Sequence, residues 1–173
     1  MQAFFAKRFI FWYVKVNMIA ILHNIRSNHN VGSIFRTADA VGCEKLYLCG
    51  ITPAPIDRFG LSNKALIKVA LGAEKTVQWE RAESILAVME KLKQEGYTII
   101  AVELDKKAVD LFSKNLKKFK FKKFALILGA EVEGLSREIL DAADLIVAIP
   151  MRGKKESLNV AVAFGVAAYQ FIN

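Results

Sequence analysis

A glycine-spaced turn behind an apolar stretch is the part of this sequence best suited to hold a small molecule. Residues 124–128, FALIL, run directly into residues 129–134, GAEVEG. Glycines at both ends of the turn let the backbone close tightly around a flat ring. A phosphate-binding loop offers backbone N–H groups and usually a lysine, whereas Glu131 and Glu133 bring negative charge to this turn. The patterns GxGxxG and GxxxxGK are both absent, so we expect no phosphate-bearing cofactor.

Because a phosphate-bearing cofactor is not expected, we predict that this turn binds an uncharged heterocycle beside a cation. S-adenosylmethionine carries an adenine and a sulfonium and has no phosphate, so it is compatible with Gly129, Gly134 and the two carboxylates. A metal site is not expected, because His23 and His29 have no cysteine or carboxylate cluster around them.

Arg36 is a second candidate, because the sequence places it on the polar side of an amphipathic helix. Asn30 is predicted to be the N-cap of a helix over residues 31–41, and Gly42 is predicted to end it. Opposite the apolar side, Arg36 lies among small residues, so a ligand has room to approach it. The alternative is a solvated surface arginine without a function. The apolar side consists of Val31, Ile34, Phe35, Ala38 and Val41.

The C-terminal segment combines a polar loop with an unusually apolar helix. Residues 149–156 contain Pro150 and Gly153 and are predicted to form the loop, and Ser157 is predicted to cap the helix that follows. Residues 160–168 have no polar side, and a helix that is apolar all round must be buried on all sides. Such a helix either lies in the core of one chain or packs partly against a second subunit, and we favour the second subunit.

The charge of the chain favours a polyanionic partner. The formal net charge is +8 and the pI is about 9.5. RNA or DNA fits this balance better than an anionic membrane, and a basic protein without a nucleic-acid role is the alternative. Lysines interleaved with phenylalanines over residues 105–123 form either a solvated face or a contact to phosphates without base specificity. Two cysteines, Cys43 and Cys49, are too few for a disulfide framework and are expected to be reduced thiols in a cytoplasmic protein.

The predicted elements alternate between strand and helix, which indicates an α/β fold with a parallel sheet flanked by helices. We expect a single domain over residues 18–173, preceded by an N-terminal extension over residues 1–17 that is too short to cross a membrane. That extension is either an artefact of the translation start or an aromatic and basic arm. The loop over residues 51–63 is long enough to be a functional loop. Strands are predicted at residues 19–22, 45–49, 76–79, 97–102, 124–128 and 145–149, and helices at residues 31–41, 64–71, 82–95 and 137–142 and at the C-terminus.

Three stretches together resemble the SpoU/TrmH family of RNA ribose methyltransferases, within the SPOUT superfamily. NHNVGSIFRTADAVG at residues 28–42 resembles the first family motif, and LILGAEVEGLS at residues 126–136 resembles the second. IPMRGKKESLNVAVA at residues 149–163 resembles the third, with Ala161 where many relatives carry serine. The order and spacing of the motifs also match.

The resemblance implies a C-terminal part that is threaded through a loop as a deep trefoil knot. It implies a homodimer built partly on the C-terminal helix, with Arg36 of one subunit near the cofactor of the other. It also implies a bent S-adenosylmethionine held by the loops around the second and third motifs. The implied cofactor-binding residues are Leu128, Gly129, Glu131, Ile149, Met151, Ser157 and Leu158.

The implied activity is methyl transfer to a ribose 2′-hydroxyl of a structured RNA, either tRNA or rRNA. Arg36 would contact an RNA phosphate and either help remove the hydroxyl proton or only orient the substrate. Asn30 and Glu131 are expected to hold the surroundings of Arg36, and Asn159 is expected to fix the cofactor loop or the substrate. The alternatives are a non-catalytic RNA-binding protein with the same fold and, less favoured by the motifs, an enzyme that methylates a base.

Overall fold

One parallel sheet organises the part of the chain that can be described. The computed structural model describes residues 17–114, 116 and 121–172 of the 173-residue chain. The strands are β1 (Asn17–His23), β2 (Lys45–Cys49), β3 (Gln78–Ala82), β4 (Thr98–Val102), β5 (Val109–Asp110), β6 (Lys123–Leu128) and β7 (Leu145–Ala148). The helices are α1 (Asn28–Val41), α2 (Lys64–Ala70), α3 (Ala73–Thr76), α4 (Ile85–Gln94), α5 (Arg137–Ala142) and α6 (Val160–Ile172).

The sheet has seven strands in the order β3-β2-β1-β6-β4-β7-β5, and every pairing is parallel. The prediction of a parallel sheet flanked by helices is therefore confirmed. β6 lies in the middle of the sheet, as its unbroken apolar sequence predicts, with Leu22 of β1 beside Leu128 and Ala101 of β4 beside Ile127. β7 lies between β4 and β5, two strands that precede it in the chain.

Two apolar layers cover the faces of the sheet. Side chains of β6 alternate between them, because successive residues of a strand point to opposite faces. Phe124, Leu126 and Leu128 pack in the layer that contains α1, α2 and α6. Ala125 and Ile127 pack in the layer that contains α4 and α5. Because the strands are parallel, their carboxyl ends meet at one edge of this sandwich, where loops of the second and third motifs converge.

The N-terminus of α1 differs from the prediction. The helix begins at Asn28 and its N-cap is Ser27, whose side-chain oxygen accepts the backbone N–H of Asn30 at 3.2 Å. The prediction that Asn30 is the cap is therefore wrong, because a serine three residues earlier takes that position. The Asn30 side chain is consequently left for a tertiary contact. The end of the helix at Gly42 is confirmed by a left-handed backbone with φ of 71°.

The start of α6 also differs from the prediction. α6 begins at Val160, and the side-chain oxygen of Asn159 accepts the backbone N–H of Ala161 at 2.9 Å. Asn159 rather than Ser157 therefore satisfies an N–H group of the first turn, because Asn159 is adjacent to the helix. Ser157 belongs instead to the loop that precedes it.

The burial of α6 is not complete within one chain. Phe164, Ala167 and Ala168 are buried against the sheet, whereas Val162 is 52% exposed and Tyr169 is 48% exposed. The prediction that this helix is buried on all sides is therefore not met by its own chain. Part of the apolar surface of the helix, around Val162, is therefore exposed in the part of the chain that the structure describes.

The region between α2 and α4 was predicted with the wrong boundaries. Thr76 ends α3 rather than beginning a strand, and Ala82 ends β3 rather than beginning a helix. β3 is an exposed edge strand that is fixed by backbone pairing, from Lys45 beside Gln78 to Cys49 beside Ala82. Its sequence carries no apolar alternation that would have identified it.

Two predicted features lie outside the described residues. The first is the N-terminal extension predicted over residues 1–17, of which only Asn17 is described, as the first residue of β1. The second is the middle of the lysine-rich segment, Lys117, Lys118, Phe119 and Lys120. Within the described ranges, no helix is long and apolar enough to cross a membrane.

Candidate functional site

A cavity of about 290 Å³ opens where the second and third motifs meet at the carboxyl edge of the sheet. Its walls come from the loops that follow β4, β6 and β7 and from the first turn of α6. Ligand sites of open α/β sheets lie at this edge, because the loops there face the same crevice. The structure brings all of the predicted cofactor-binding residues together in this cavity: Leu128, Gly129, Glu131, Ile149, Met151, Ser157 and Leu158.

The GAEVEG turn closes on itself with no room for larger residues. The N–H of Gly134 donates to the carbonyl of Ala130 at 3.1 Å, so the two ends of the turn are bridged. A Cβ atom at Gly129 would lie 2.7 Å from the carbonyl carbon of Gly134. Gly134 itself has φ of 66°, a conformation that side chains with a Cβ rarely adopt. Both glycines are therefore required for the shape of this wall.

Glu103 holds the turn from the neighbouring strand, and sequence reasoning missed it. The residue directly follows β4 and lines the cavity. One of its carboxylate oxygens accepts a hydrogen bond from the backbone N–H of Leu135 at 3.0 Å. The other accepts a hydrogen bond from the backbone N–H of the adjacent residue, Leu104, at 2.9 Å. A Cβ at Gly134 would lie 2.6 Å from the first oxygen. The sequence did show an acidic residue directly after an apolar strand. It did not show the partner of that residue, because Leu135 lies 32 residues further along the chain.

The lining of the cavity is apolar and acidic. Glu103, Glu131 and Glu156 contribute carboxylates, and the described lining contains no lysine or arginine. Such a surface disfavours phosphate and suits a flat apolar ring with a positive charge nearby. The volume is close to the lower bound of about 300 Å³ for small-molecule sites. The residues present thus fit S-adenosylmethionine by shape and by charge.

A chain of side-chain hydrogen bonds joins the three motifs. The amide nitrogen of Asn30 donates to the Glu131 carboxylate at 2.8 Å, and the amide nitrogen of Asn159 donates to the Asn30 oxygen at 3.0 Å. Because Asn159 also accepts the N–H of Ala161, the chain continues into the first turn of α6. Residues separated by 101 and 129 positions along the sequence are thereby fixed relative to each other. The structure brings Asn30, Glu131 and Asn159 together as one group.

Arg36 lies apart from this group within the chain. It is exposed on α1 and lines a second cavity of about 680 Å³ together with Lys68 of α2 and with His29. Among the described residues, no hydrogen bond or ion pair is found for its guanidinium. Asn30 bonds to both Glu131 and Asn159, and among the described residues neither Asn30 nor Glu131 bonds to Arg36. A single chain therefore carries one cavity lined by the second and third motifs and a separate cavity lined by Arg36 and Lys68.

The remaining titratable candidates are structural in this fold. Burial raises the pKa of the Cys43 and Cys49 thiols to about 12, so both stay protonated and unreactive. Burial lowers the pKa of His23, which lies at the end of β1 next to Asn24 and favours the neutral ring. The described residues contain no group of three or more histidine, cysteine or acidic side chains that would hold a metal ion.

Comparison with known proteins places these motifs in a family. Residues 17–169 match the model of the SpoU rRNA Methylase family. The chain is 34% identical over 155 residues to a 23S rRNA (guanosine-2′-O-)-methyltransferase, RlmB, of Ralstonia nicotianae, with 90% of this chain and 58% of the relative covered. It is 32% identical over 155 residues to a tRNA (guanosine(18)-2′-O)-methyltransferase of Aquifex aeolicus, with 89% and 68% covered.

A solved structure agrees with the sequence comparison. The AdoMet-bound rRNA methyltransferase from Sinorhizobium meliloti superposes with a TM-score of 0.75 at 27% identity, over 90% of this chain and 55% of that chain. The present chain thus spans a little more than half the length of that protein and 58% of the Ralstonia relative.

Proposed function

The chain belongs to the SpoU rRNA Methylase family, and from that premise we propose that it transfers a methyl group from S-adenosylmethionine to a ribose 2′-hydroxyl of a structured RNA. The observation that carries the proposal is the cavity in which every predicted cofactor-binding residue meets. The names of the relatives, which act on rRNA and on tRNA, support an RNA substrate of one of these classes. The net charge of +8 supports a polyanionic substrate as well.

The cavity residues would hold the cofactor by shape and charge. Gly129 and Gly134 let the turn close tightly beside the cavity, and Leu128, Ile149 and Leu158 add apolar surface for a flat ring. The carboxylates of the lining attract a positive charge. When bound, S-adenosylmethionine supplies a methyl group on a sulfonium, which is an electrophile for the hydroxyl oxygen.

The second cavity would hold the RNA. Arg36 and Lys68 line it from α1 and α2, and two cations in one cavity suit a phosphate of the RNA backbone. We assign Arg36 to phosphate binding and to orientation of the hydroxyl, because a guanidinium stays protonated at neutral pH and is a poor base. Positioning alone supplies a large part of the acceleration in such reactions. Asn30, Glu131 and Asn159 would keep α1 in a fixed position relative to the cofactor cavity.

We propose a homodimer that brings the two cavities together. Its support is the 52% exposure of Val162 on the apolar helix α6, together with the fact that Arg36 does not line the cofactor cavity of its own chain. A second copy packed on α6 would bury Val162 and would place its Arg36 near the cavity. Each complete site would then use residues of both subunits.

We also propose that the C-terminal part forms a trefoil knot in one domain over residues 18–173. β7 inserts between β4 and β5, which are both made earlier in the chain, and this order supports threading of the C-terminal segment. The proposed reaction takes place in the cytoplasm. Two free, buried cysteines are in keeping with a reducing compartment.

The function is tested with RNA from cells that lack this protein. Purified protein is incubated with that RNA and with S-adenosylmethionine labelled in the methyl group, and the product is digested to nucleosides. Label in 2′-O-methyl nucleosides is the expected result. Label in a methylated base would replace the proposed target by a base. No label, together with RNA binding and no heat of S-adenosylmethionine binding, would favour the non-catalytic alternative.

A further inference from the structure

An exposed apolar tip is the most unusual part of the surface outside the two cavities. It lies in the loop over residues 51–63, between β2 and α2, where Phe59 is 72% exposed and Leu61 is 66% exposed. Large apolar side chains clustered on the surface usually mark a site of interaction. The cofactor cavity does not include any of them.

The tip has a fixed shape rather than an extended one. A carboxylate oxygen of Asp57 accepts the backbone N–H groups of Phe59 at 2.8 Å and of Leu61 at 2.9 Å. The N–H of Asp57 donates to the carbonyl of Leu61 at 2.9 Å, and Ile56 bridges Ser62. These bonds hold Phe59 outward before any ligand arrives, which lowers the entropy cost of binding.

The ring of Phe59 is prepared for stacking. The guanidinium carbon of Arg58 lies 4.8 Å from the ring centroid, over one face, and the exposure of the ring leaves the other face open to solvent. An aromatic ring with an arginine beside it binds unpaired nucleic-acid bases, because every base has a flat π-face and each nucleotide carries a negative charge. An apolar surface of a protein partner would gain less binding energy from the positive charge of Arg58.

The tip is connected to the cavity that contains Arg36. The loop leads directly into α2, which carries Lys64 and Lys68 on its exposed surface. Asn63 caps α2 and donates to the side-chain oxygen of Asn28 at 2.6 Å, and Asn28 and Lys68 both line that cavity. Within the described part of the chain, neither lysine forms an ion pair. A positive surface therefore runs from Arg58 through α2 to Arg36.

We propose that Phe59 is a stacking platform for an unpaired base of the substrate RNA, while the phosphate backbone of the same strand passes along α2 to the Arg36 cavity. The inference rests on the proposed function for the identity of the strand. It assigns to the loop a preference for single-stranded or looped RNA, since a base inside a duplex has no free face. The competing occupant is a second copy of the chain.

The test measures binding of a fluorescein-labelled oligouridine and of an RNA duplex of equal length by anisotropy, using the full chain. Phe59→Ala is expected to bind the single strand about tenfold more weakly, within the range known for a base stacked on an aromatic ring. Phe59→Trp is expected to stay within about twofold of wild type, because indole also stacks. Leu61→Ala is the matched control, since it removes an exposed apolar side chain that cannot stack, and it is expected to leave binding unchanged.

Three outcomes would overturn the inference. The first is single-strand affinity that is equal in Phe59→Ala and wild type, and the second is an equal loss in Leu61→Ala. The third is a change of sedimentation coefficient in Phe59→Ala without a change in RNA affinity, which would assign the tip to contact between copies. Titration with S-adenosylmethionine and methyl transfer by the wild type report on the proposed function separately. If the wild type neither binds S-adenosylmethionine nor transfers methyl groups, the proposed function fails. The effect of Phe59→Ala on RNA affinity still tests the stacking inference in that case.

Discussion

At the scale of single residues, the proposed site separates groups that hold the GAEVEG turn from groups that we assign to RNA binding. Glu103 belongs to the first class, because one of its carboxylate oxygens accepts the backbone N–H of Leu135, directly after the turn. Arg36 belongs to the second class, because it is exposed in a cavity outside the cofactor site. A substitution at Glu103 is therefore expected to weaken S-adenosylmethionine binding, whereas a substitution at Arg36 is expected to leave that affinity unchanged.

Arg36→Ala is expected to leave the thermal unfolding temperature and S-adenosylmethionine affinity unchanged and to lower methyl transfer about 100-fold, the cost of losing a positioning group. The measurements are calorimetric titration and single-turnover transfer to RNA from cells lacking the protein. Arg81→Ala removes an exposed arginine from edge strand β3 and serves as the control. Unchanged transfer in Arg36→Ala would remove Arg36 from the reaction.

Glu103→Ala is expected to weaken S-adenosylmethionine binding about tenfold, because the N–H of Leu135 loses a charged acceptor and the turn loosens. Glu103→Gln keeps an acceptor oxygen and is expected to retain most of the affinity. Glu90→Ala, on exposed α4 surface, controls for the loss of one negative charge. Equal binding by Glu103→Ala and wild type would show that the turn keeps its shape without this carboxylate.

At the scale of elements, the site depends on turns that place three loops in contact. The GAEVEG turn follows the central strand β6 and is closed by the bond from Gly134 to Ala130. The first turn of α6 is fixed to α1 through Asn159 and Asn30. The shape of the cavity therefore depends on backbone geometry as much as on the side chains that line it.

Gly134→Ala tests this dependence on backbone geometry. An alanine in the left-handed region costs about 1–2 kcal/mol, and here its Cβ also meets the Glu103 carboxylate at 2.6 Å. We expect a larger loss of unfolding free energy than for Gly96→Ala, together with loss of S-adenosylmethionine binding. Gly96 is the matched control, because it has φ of 83° and open space around its Cβ position. Urea unfolding measures the loss of unfolding free energy, and calorimetric titration measures S-adenosylmethionine binding. Equal losses in Gly134→Ala and Gly96→Ala would contradict the prediction.

At the scale of the whole molecule, one chain leaves the proposed site incomplete. The cofactor cavity and the Arg36 cavity are separate, and α6 presents Val162 and Tyr169 to solvent. A helix with this much apolar surface is stabilised when a second surface covers it. The quaternary structure is therefore part of the functional proposal.

Val162→Glu is expected to shift the protein from dimer to monomer in sedimentation velocity, because a buried, unpaired carboxylate is costly in an apolar interface. Methyl transfer is expected to fall in parallel with the dimer fraction. Ile51→Glu, at an apolar residue that is 61% exposed and lines neither cavity, controls for the introduction of a surface carboxylate. A wild-type protein that sediments as a monomer and still transfers methyl groups would reject the dimeric site.

The sequence by itself determined the parallel sheet and the central position of β6, which follow from apolar strands that alternate with helices. The residues expected around the cofactor came from the resemblance of three motifs to a known family, and Glu103 of the same cavity was not among them. The caps of α1 and α6 were less predictable, because several polar residues near each helix start compete for one position. Ser27 and Asn159 took those positions because they directly precede the helical residues.

Only the tertiary structure decided which distant groups meet. The bonds of Asn30 to Glu131 and Asn159, and of Glu103 to Leu135, join residues from different loops, and no local pattern encodes such a pairing. Three further features could not be predicted from local sequence either. They are the cavity shared by Arg36 and Lys68, the outward position of Phe59 and the exposure of Val162 on α6. Each depends on how whole elements pack, since side chains far apart in the sequence come into contact only when the sheet and its helices are assembled.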